Sequence, residues 1–199
     1  MLYAKTEYNL RYLLQVVGAV TIDQLILFFR DEAPPWEVKY HARTLIFRGD
    51  ADFDERTGTL TWHRSPPLAR DTIRSRVESF WVVAYFGSKT VKDLDSLKFP
   101  LQLEMILCSA GDEDSEEPKY EVYDVAVCKT ITDGTIAARA LQRARIEGVP
   151  DEVVHIVIVQ DAEIGKQMVE RFGFDCYVIL KKSHDTKNDI DIYIPEFSE

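Results

Sequence analysis

Cysteine is scarce and poorly placed for cross-linking. Three thiols, Cys108, Cys128 and Cys176, stand far apart in a chain of 199 residues, and no Cys-x-x-Cys occurs. The four histidines are scattered and add no zinc-ligand spacing. These absences argue against a disulfide framework and a zinc site, and make reduced thiols in a cytoplasmic setting the expectation. No apolar run approaches the ~18 residues that cross a bilayer. The opening Met1-Leu2-Tyr3-Ala4-Lys5 lacks the charged-then-apolar layout of a secretory leader. A glycine-rich phosphate loop, a Gly-x-Ser-x-Gly elbow and a His-Glu-x-x-His are missing too. No catalytic residue and no cofactor are expected on these grounds.

Positive charge is also in short supply. Lysine and arginine number 24 against 34 acidic residues, a net charge of −10, which disfavours a protein that coats nucleic acid over its whole surface. The deficit is uneven. Residues 1–68 hold eight basic and nine acidic side chains and are nearly neutral, so almost all the excess acid lies beyond them. The first third is thus the only part a phosphate backbone would readily tolerate, and the acidic remainder suits protein association. At 46% hydrophobic, the chain has enough apolar content and length for one or two domains with a real core.

What is present is concentrated in residues 20–63. Thr21 can cap a helix that begins at Ile22, with Gln24 reciprocating, and Val20 and Leu25 stand where a hydrophobic staple fixes the approach of the chain. Pro34 and Pro35 stop one helix and start the next, which Gly49 ends. Alternating strands at 51–54 and 59–62 flank Glu55-Arg56-Thr57-Gly58, a turn whose glycine supplies positive φ. Helix, capped helix, helix, hairpin is the order of a winged helix-turn-helix, which makes nucleic-acid binding the first hypothesis.

The third helix, at about 36–48, is the candidate recognition element. Val38, His41, Ala42, Leu45 and Ile46 form its core-facing stripe, leaving Trp36, Lys39, Tyr40, Arg43 and Phe47 opposite. A cation pair beside aromatics suits phosphate and groove contacts, and Arg56 at the hairpin tip can add a wing contact. Acids crowd the same region: Asp31, Glu32 and Glu37 at the helix approach, Asp50, Asp52, Asp54 and Glu55 on the hairpin. The same exposed aromatics also fit a protein interface, so a docking module that never touches DNA stands as the alternative.

Ser65-Pro66-Pro67-Leu68 marks the boundary, with a domain at 1–65, a link at 66–69 and a second domain at 70–199. A helix from Arg70 to about Phe86 places Ile73, Val77, Phe80, Trp81, Ala84 and Tyr85 on its inner stripe and Arg70, Arg74 and Arg76 on a basic outer face. Beyond Gly87 come strands at 101–108 and 120–128 around an acidic loop at 111–118. A helix to about Glu147 follows, capped by Thr132 or Asp133, with Ile136, Ala140, Leu141 and Ala144 inward and Gly148 closing it. A doubly buried strand at 153–159 contains His155, expected to be a core histidine bonded to backbone. Asp161 caps a helix at 162–172 that stops at Gly173, and strands at 176–180 and 190–194 close a mixed α/β sheet. Cys108 and Cys128 read as small core residues.

Glu104, Glu121 and Asp124 are the weak candidates for a magnesium site on neighbouring strands. Glu121 and Asp124 differ by an odd number and point to opposite faces, and no lysine stands two residues after either. Metal-dependent cleavage is therefore the least favoured hypothesis.

The layout resembles the replication-relaxation family. The matching pieces are residues 20–63 for a winged helix and Phe99-Pro100-Leu101 with Tyr120-Glu121-Val122-Tyr123-Asp124-Val125 for a strand pair. The family tends to carry Pro-Asp where this chain has Pro100-Leu101, so one acidic position is missing. The resemblance implies a plasmid or conjugative-element protein that pairs a winged helix with a degenerate restriction-endonuclease-like domain. The expected whole is α+β: a winged helix-turn-helix that binds duplex DNA as a homodimer, followed by a catalytically silent interaction domain.

Overall fold

Val20 and Leu25 are both fully buried, and the capping box beside them forms. The Gln24 amide donates to Thr21 Oγ1 at 3.2 Å, and the Thr21 amide donates to Gln24 Oε1 at 2.8 Å. The computed structural model describes residues 2–63, 66–98, 101–109, 118–146, 153–183 and 192–199. The acidic stretch at 111–117, Phe99-Pro100, Ser65, Gly148 and the side chain of Ala144 lie outside them.

The architecture is mixed α+β, with six helices and two sheets among the described residues. The chain begins with α1 (Leu2–Val17), β1 (Ala19–Thr21), α2 (Ile22–Phe28) and α3 (Pro35–Phe47), then β2 (Ala51–Asp54) and β3 (Thr59–Trp62). The three short strands form an antiparallel sheet in the order β1-β3-β2. β1 was not expected from the sequence; at three residues it is too short to show alternation. Gly58 takes positive φ, and its carbonyl accepts from the Ile22 amide, joining the hairpin to the start of α2.

The second part comprises α4 (Arg70–Phe86), β4 (Val91–Ser96), β5 (Leu101–Ser109), β6 (Lys119–Val127), α5 (Ile131–Ile146), β7 (Val153–Val159), α6 (Ala162–Phe172), β8 (Cys176–Ser183) and β9 (Ile192–Ser198). The six strands line up in sequence order, parallel only across β6-β7-β8. β4 was also missed, because its burial repeats every third residue around a bulge and hides the period of two. Pro195 sits on β9, an edge strand where a missing amide is tolerated.

Helix α4 covers one face of the large sheet, and α5 and α6 cover the other. One cluster of buried side chains runs from Leu10 and Leu14 through Leu25, Phe28 and Phe80 to Met105 and Ile156, so α4 is packed from both sides. Polar ties reinforce it. Gln24 Nε2 donates to the Val77 carbonyl at 2.6 Å, and Arg30 donates to the Ala84 and Tyr85 carbonyls at 2.9 Å each, capping the end of α4 with a cation.

Several expectations need correction. Arg76 is buried rather than on an outer face: its guanidinium donates to the carbonyls of Gln102 and of Leu97, the latter at 2.7 Å. Those carbonyls follow β4 and open β5, so a buried cation satisfies them. Tyr85 is partly exposed and meets Phe197 of β9 with the rings tilted at 51° and their centroids 5.6 Å apart. The α5 cap is Thr130, with Asp133 at the third helical position accepting from the Thr130 amide. The α5 stripe is offset: Ala137 and Leu141 are buried, and Ile136 is 40% exposed. His155 bonds a carboxylate instead of a backbone group. Cys108 is half-buried, and only Cys128 is a core residue.

Candidate nucleic-acid interface

Helix α3 packs on α1, α2 and β2 through Val38, His41, Ala42 and Leu45. Pro35 at the first helical position starts it, and Glu7 of α1 holds it, pairing with Arg48 and lying 3.7 Å from His41 Nδ1. The opposite side of α3 is open. Trp36 is 57% exposed, Tyr40 59% and Phe47 92%, with Lys39 and Arg43 exposed between them. Neither Lys39 nor Arg43 makes an ion pair among the described residues.

The surrounding acids are largely engaged elsewhere. Asp50 pairs with Arg11 at 3.5 Å, Asp52 with His63 at 3.1 Å, and Asp31 with Arg30 at 3.6 Å. Glu37 is buried, 3.9 Å from His41 Nε2. Hydrogen bonds from Thr57 and the Arg56 amide hold the Asp54 carboxyl below its usual range. Glu32 and Glu55 form no ion pair among the described residues.

Arg56 belongs to another setting. It lines a cleft of about 1260 Å³ together with Arg70 and Arg74 of α4 and Lys129 of the β6–α5 connection. Glu78 on the cleft wall takes both Arg74, at 3.0 Å, and Lys129, at 3.1 Å. The cleft escaped sequence reading because it forms where the hairpin, α4 and the ends of β6 and β7 converge.

The acidic candidates separate. Glu121 accepts from Tyr123 Oη at 2.8 Å and pairs with Lys119 at 2.7 Å; these contacts hold its carboxyl below the usual range. Burial first, and then Glu121, push the Tyr123 hydroxyl up to about 12. Asp124 faces away from Glu121, as strand parity requires. It sits directly opposite Glu104 on β5 and His155 on β7, so the three form a row across the sheet. Asp124 Oδ2 is 2.7 Å from His155 Nδ1, and the buried Oδ1 finds no hydrogen-bond donor among the described residues. Burial pushes Asp124 up, with His155 pulling the other way. Burial, then the Asp124 charge, push Glu104 up. Among the described residues, no group of three or more His, Cys, Asp or Glu side chains is arranged to hold a metal ion. Asp161 serves as a helix cap, accepting from the Ile164 amide at 2.9 Å.

These features define an α+β protein with an open cationic and aromatic helix face. No helix among the described residues is long and apolar enough to cross a membrane. Comparison with family models, curated proteins and solved structures returned no match.

Proposed function

We propose that this protein is a DNA-binding accessory or regulatory factor that engages DNA through the exposed face of α3. The observation that carries the reading is the pairing pattern around that face: Lys39 and Arg43 make no ion pair among the described residues, whereas Asp50 is matched by Arg11 and Asp52 is hydrogen-bonded to the His63 ring. A phosphate backbone therefore meets two available cations instead of a neutralised surface. The order α1-β1-α2-α3-β2-β3 with a β1-β3-β2 sheet supports a winged-helix reading of the first part, with α3 as the recognition helix.

The second part fits a degenerate restriction-endonuclease-like domain in its antiparallel run β4-β5-β6 followed by the parallel β6-α5-β7 crossover. We read it as catalytically silent, because Asp124 spends one oxygen on His155 and Ala126, not a lysine, stands two residues on. A homodimer would double a thin basic surface. The resemblance to replication-relaxation proteins makes a mobile element the expected setting.

A labelled duplex titrated with protein at low ionic strength tests the reading by fluorescence anisotropy. Salt-sensitive binding is expected, weakened in Lys39→Gln and Arg43→Gln; no binding at low salt refutes it. The 92% exposure of Phe47 favours a second reading, a protein adaptor. Light scattering separates the two, since an adaptor's mass distribution is indifferent to added duplex.

A further inference from the structure

Trp36, Tyr40, Arg43 and Phe47 follow one another at intervals of four, three and four residues. That spacing lays them along a single line of α3, spanning about 16 Å of helix axis. Lys39 stands beside the line, one turn before Arg43. Three of these five side chains are thus large aromatic rings, and the helix carries no asparagine or glutamine.

This composition fits poorly with base reading in a closed major groove. That reading relies on slim hydrogen-bonding side chains, with Arg or Lys on guanine and Asn or Gln on adenine, and leaves an aromatic ring little beyond the thymine methyl. Unpaired bases present their ring faces instead, and rows of aromatics interleaved with cations are how single strands are held. Tyr40 meets His41 edge-on at 5.3 Å yet stays 59% exposed, and Trp36 and Phe47 are more than half exposed on either side of it. The two cations supply the phosphate complementarity that an adaptor surface does not require.

Resting on the DNA-binding reading above, we infer that the α3 stripe is a stacking surface for unpaired bases and that the protein prefers single-stranded or locally melted DNA over a closed duplex. Trp36 and Tyr40 carry the preference; Lys39 and Arg43 grip phosphate in either form.

The test compares a labelled 20-nucleotide strand, the same sequence as a duplex, and that duplex with a central unpaired bubble, at one salt concentration. The strand and the bubble are expected to bind roughly tenfold more tightly than the closed duplex. Trp36→Ala and Tyr40→Ala should each erase most of that margin while changing duplex affinity less than about twofold, and Trp36→Phe should restore it. Arg43→Gln should lower affinity for all three alike. The substituted side chains are solvent-facing, and circular dichroism confirms that each variant folds. Duplex affinity equal to or above that of the strand overturns this inference alone, as does an equal loss of both in Trp36→Ala. Binding to none of the three, with self-association through the same face, overturns the DNA reading itself.

Discussion

Asp124 Oδ2 and His155 Nδ1 lie 2.7 Å apart across two parallel strands, and both side chains are almost wholly removed from water. Glu104 faces Asp124 from the other flank. The sheet therefore carries an ionisable row through its interior, with stability consequences that depend on pH.

Burial raises Asp124 above its ordinary 3.8 and Glu104 above its ordinary 4.5. A raised carboxyl binds its proton more tightly in the folded state. Its contribution is complete below the ordinary value and is lost as pH rises through the elevated one. Asp124→Asn keeps a polar partner for His155 but cannot ionise. The stability of this variant relative to the parent, from urea unfolding, should improve as pH rises from the acid range towards neutrality. A uniform loss at every pH contradicts this account of the row.

Arg76 is the buried cation on which the β4–β5 connection depends. Its replacement by Met should leave the Leu97 carbonyl short of a donor, take from the Gln102 carbonyl the second of its two donors, the other being the Leu97 amide, and lower stability by about 3 kcal/mol. For a chain of this size that is a fall in Tm of roughly 6–12 °C, read by calorimetry. A shift within a degree of the parent would show the guanidinium to be dispensable.

Two helical glycines should respond differently to alanine. A Cβ at Gly165 would lie 2.3 Å from the ring of Tyr177, a buried group with no room to retreat. A Cβ at Gly134 would meet the Sδ and Cε of Met168, the far end of a flexible chain. Gly165→Ala should cost about 1–3 kcal/mol by overpacking. Gly134→Ala should cost less, because the end of a thioether chain shifts more readily than an aromatic ring, while both variants gain the same ~1 kcal/mol of helix propensity. Denaturant midpoints rank them, and the reverse order contradicts the packing described.

Gln24 performs two tasks, reciprocating the Thr21 cap and donating to the Val77 carbonyl. Thr21→Ala should cost about 1 kcal/mol, an ordinary lost cap. Gln24→Ala should cost more, because it also removes the tie to the Val77 carbonyl on the helix shared by both parts of the core. Equal losses in the two variants would show that the link to α4 contributes nothing.

Local grammar made the first third legible. Thr21 with Gln24, Pro35 at the start of α3 and Gly58 act within a few residues of themselves and are found as read, whereas α2 ends at Phe28, before the prolines expected to stop it. Asp161 and Gly173 bounded α6 for the same reason. Arg76 misled because an arginine on a helix reads as surface until the strands it serves are in place. The Glu104–Asp124–His155 row was hidden in register. Parity fixed which face each residue takes, but only the pairing of β5, β6 and β7 brings them abreast. The cleft around Arg56, Arg70 and Lys129 had no local signal, since its walls come from distant segments.

The central claim is that Lys39 and Arg43 meet DNA phosphates, and the salt dependence of binding tests it most directly. Each phosphate contact contributes close to one unit to the slope of log affinity against log salt. The double variant Lys39→Gln with Arg43→Gln should therefore bind duplex with a slope shallower by about two than the parent. An unchanged slope, at any affinity, would place the phosphate contacts elsewhere and contradict the account.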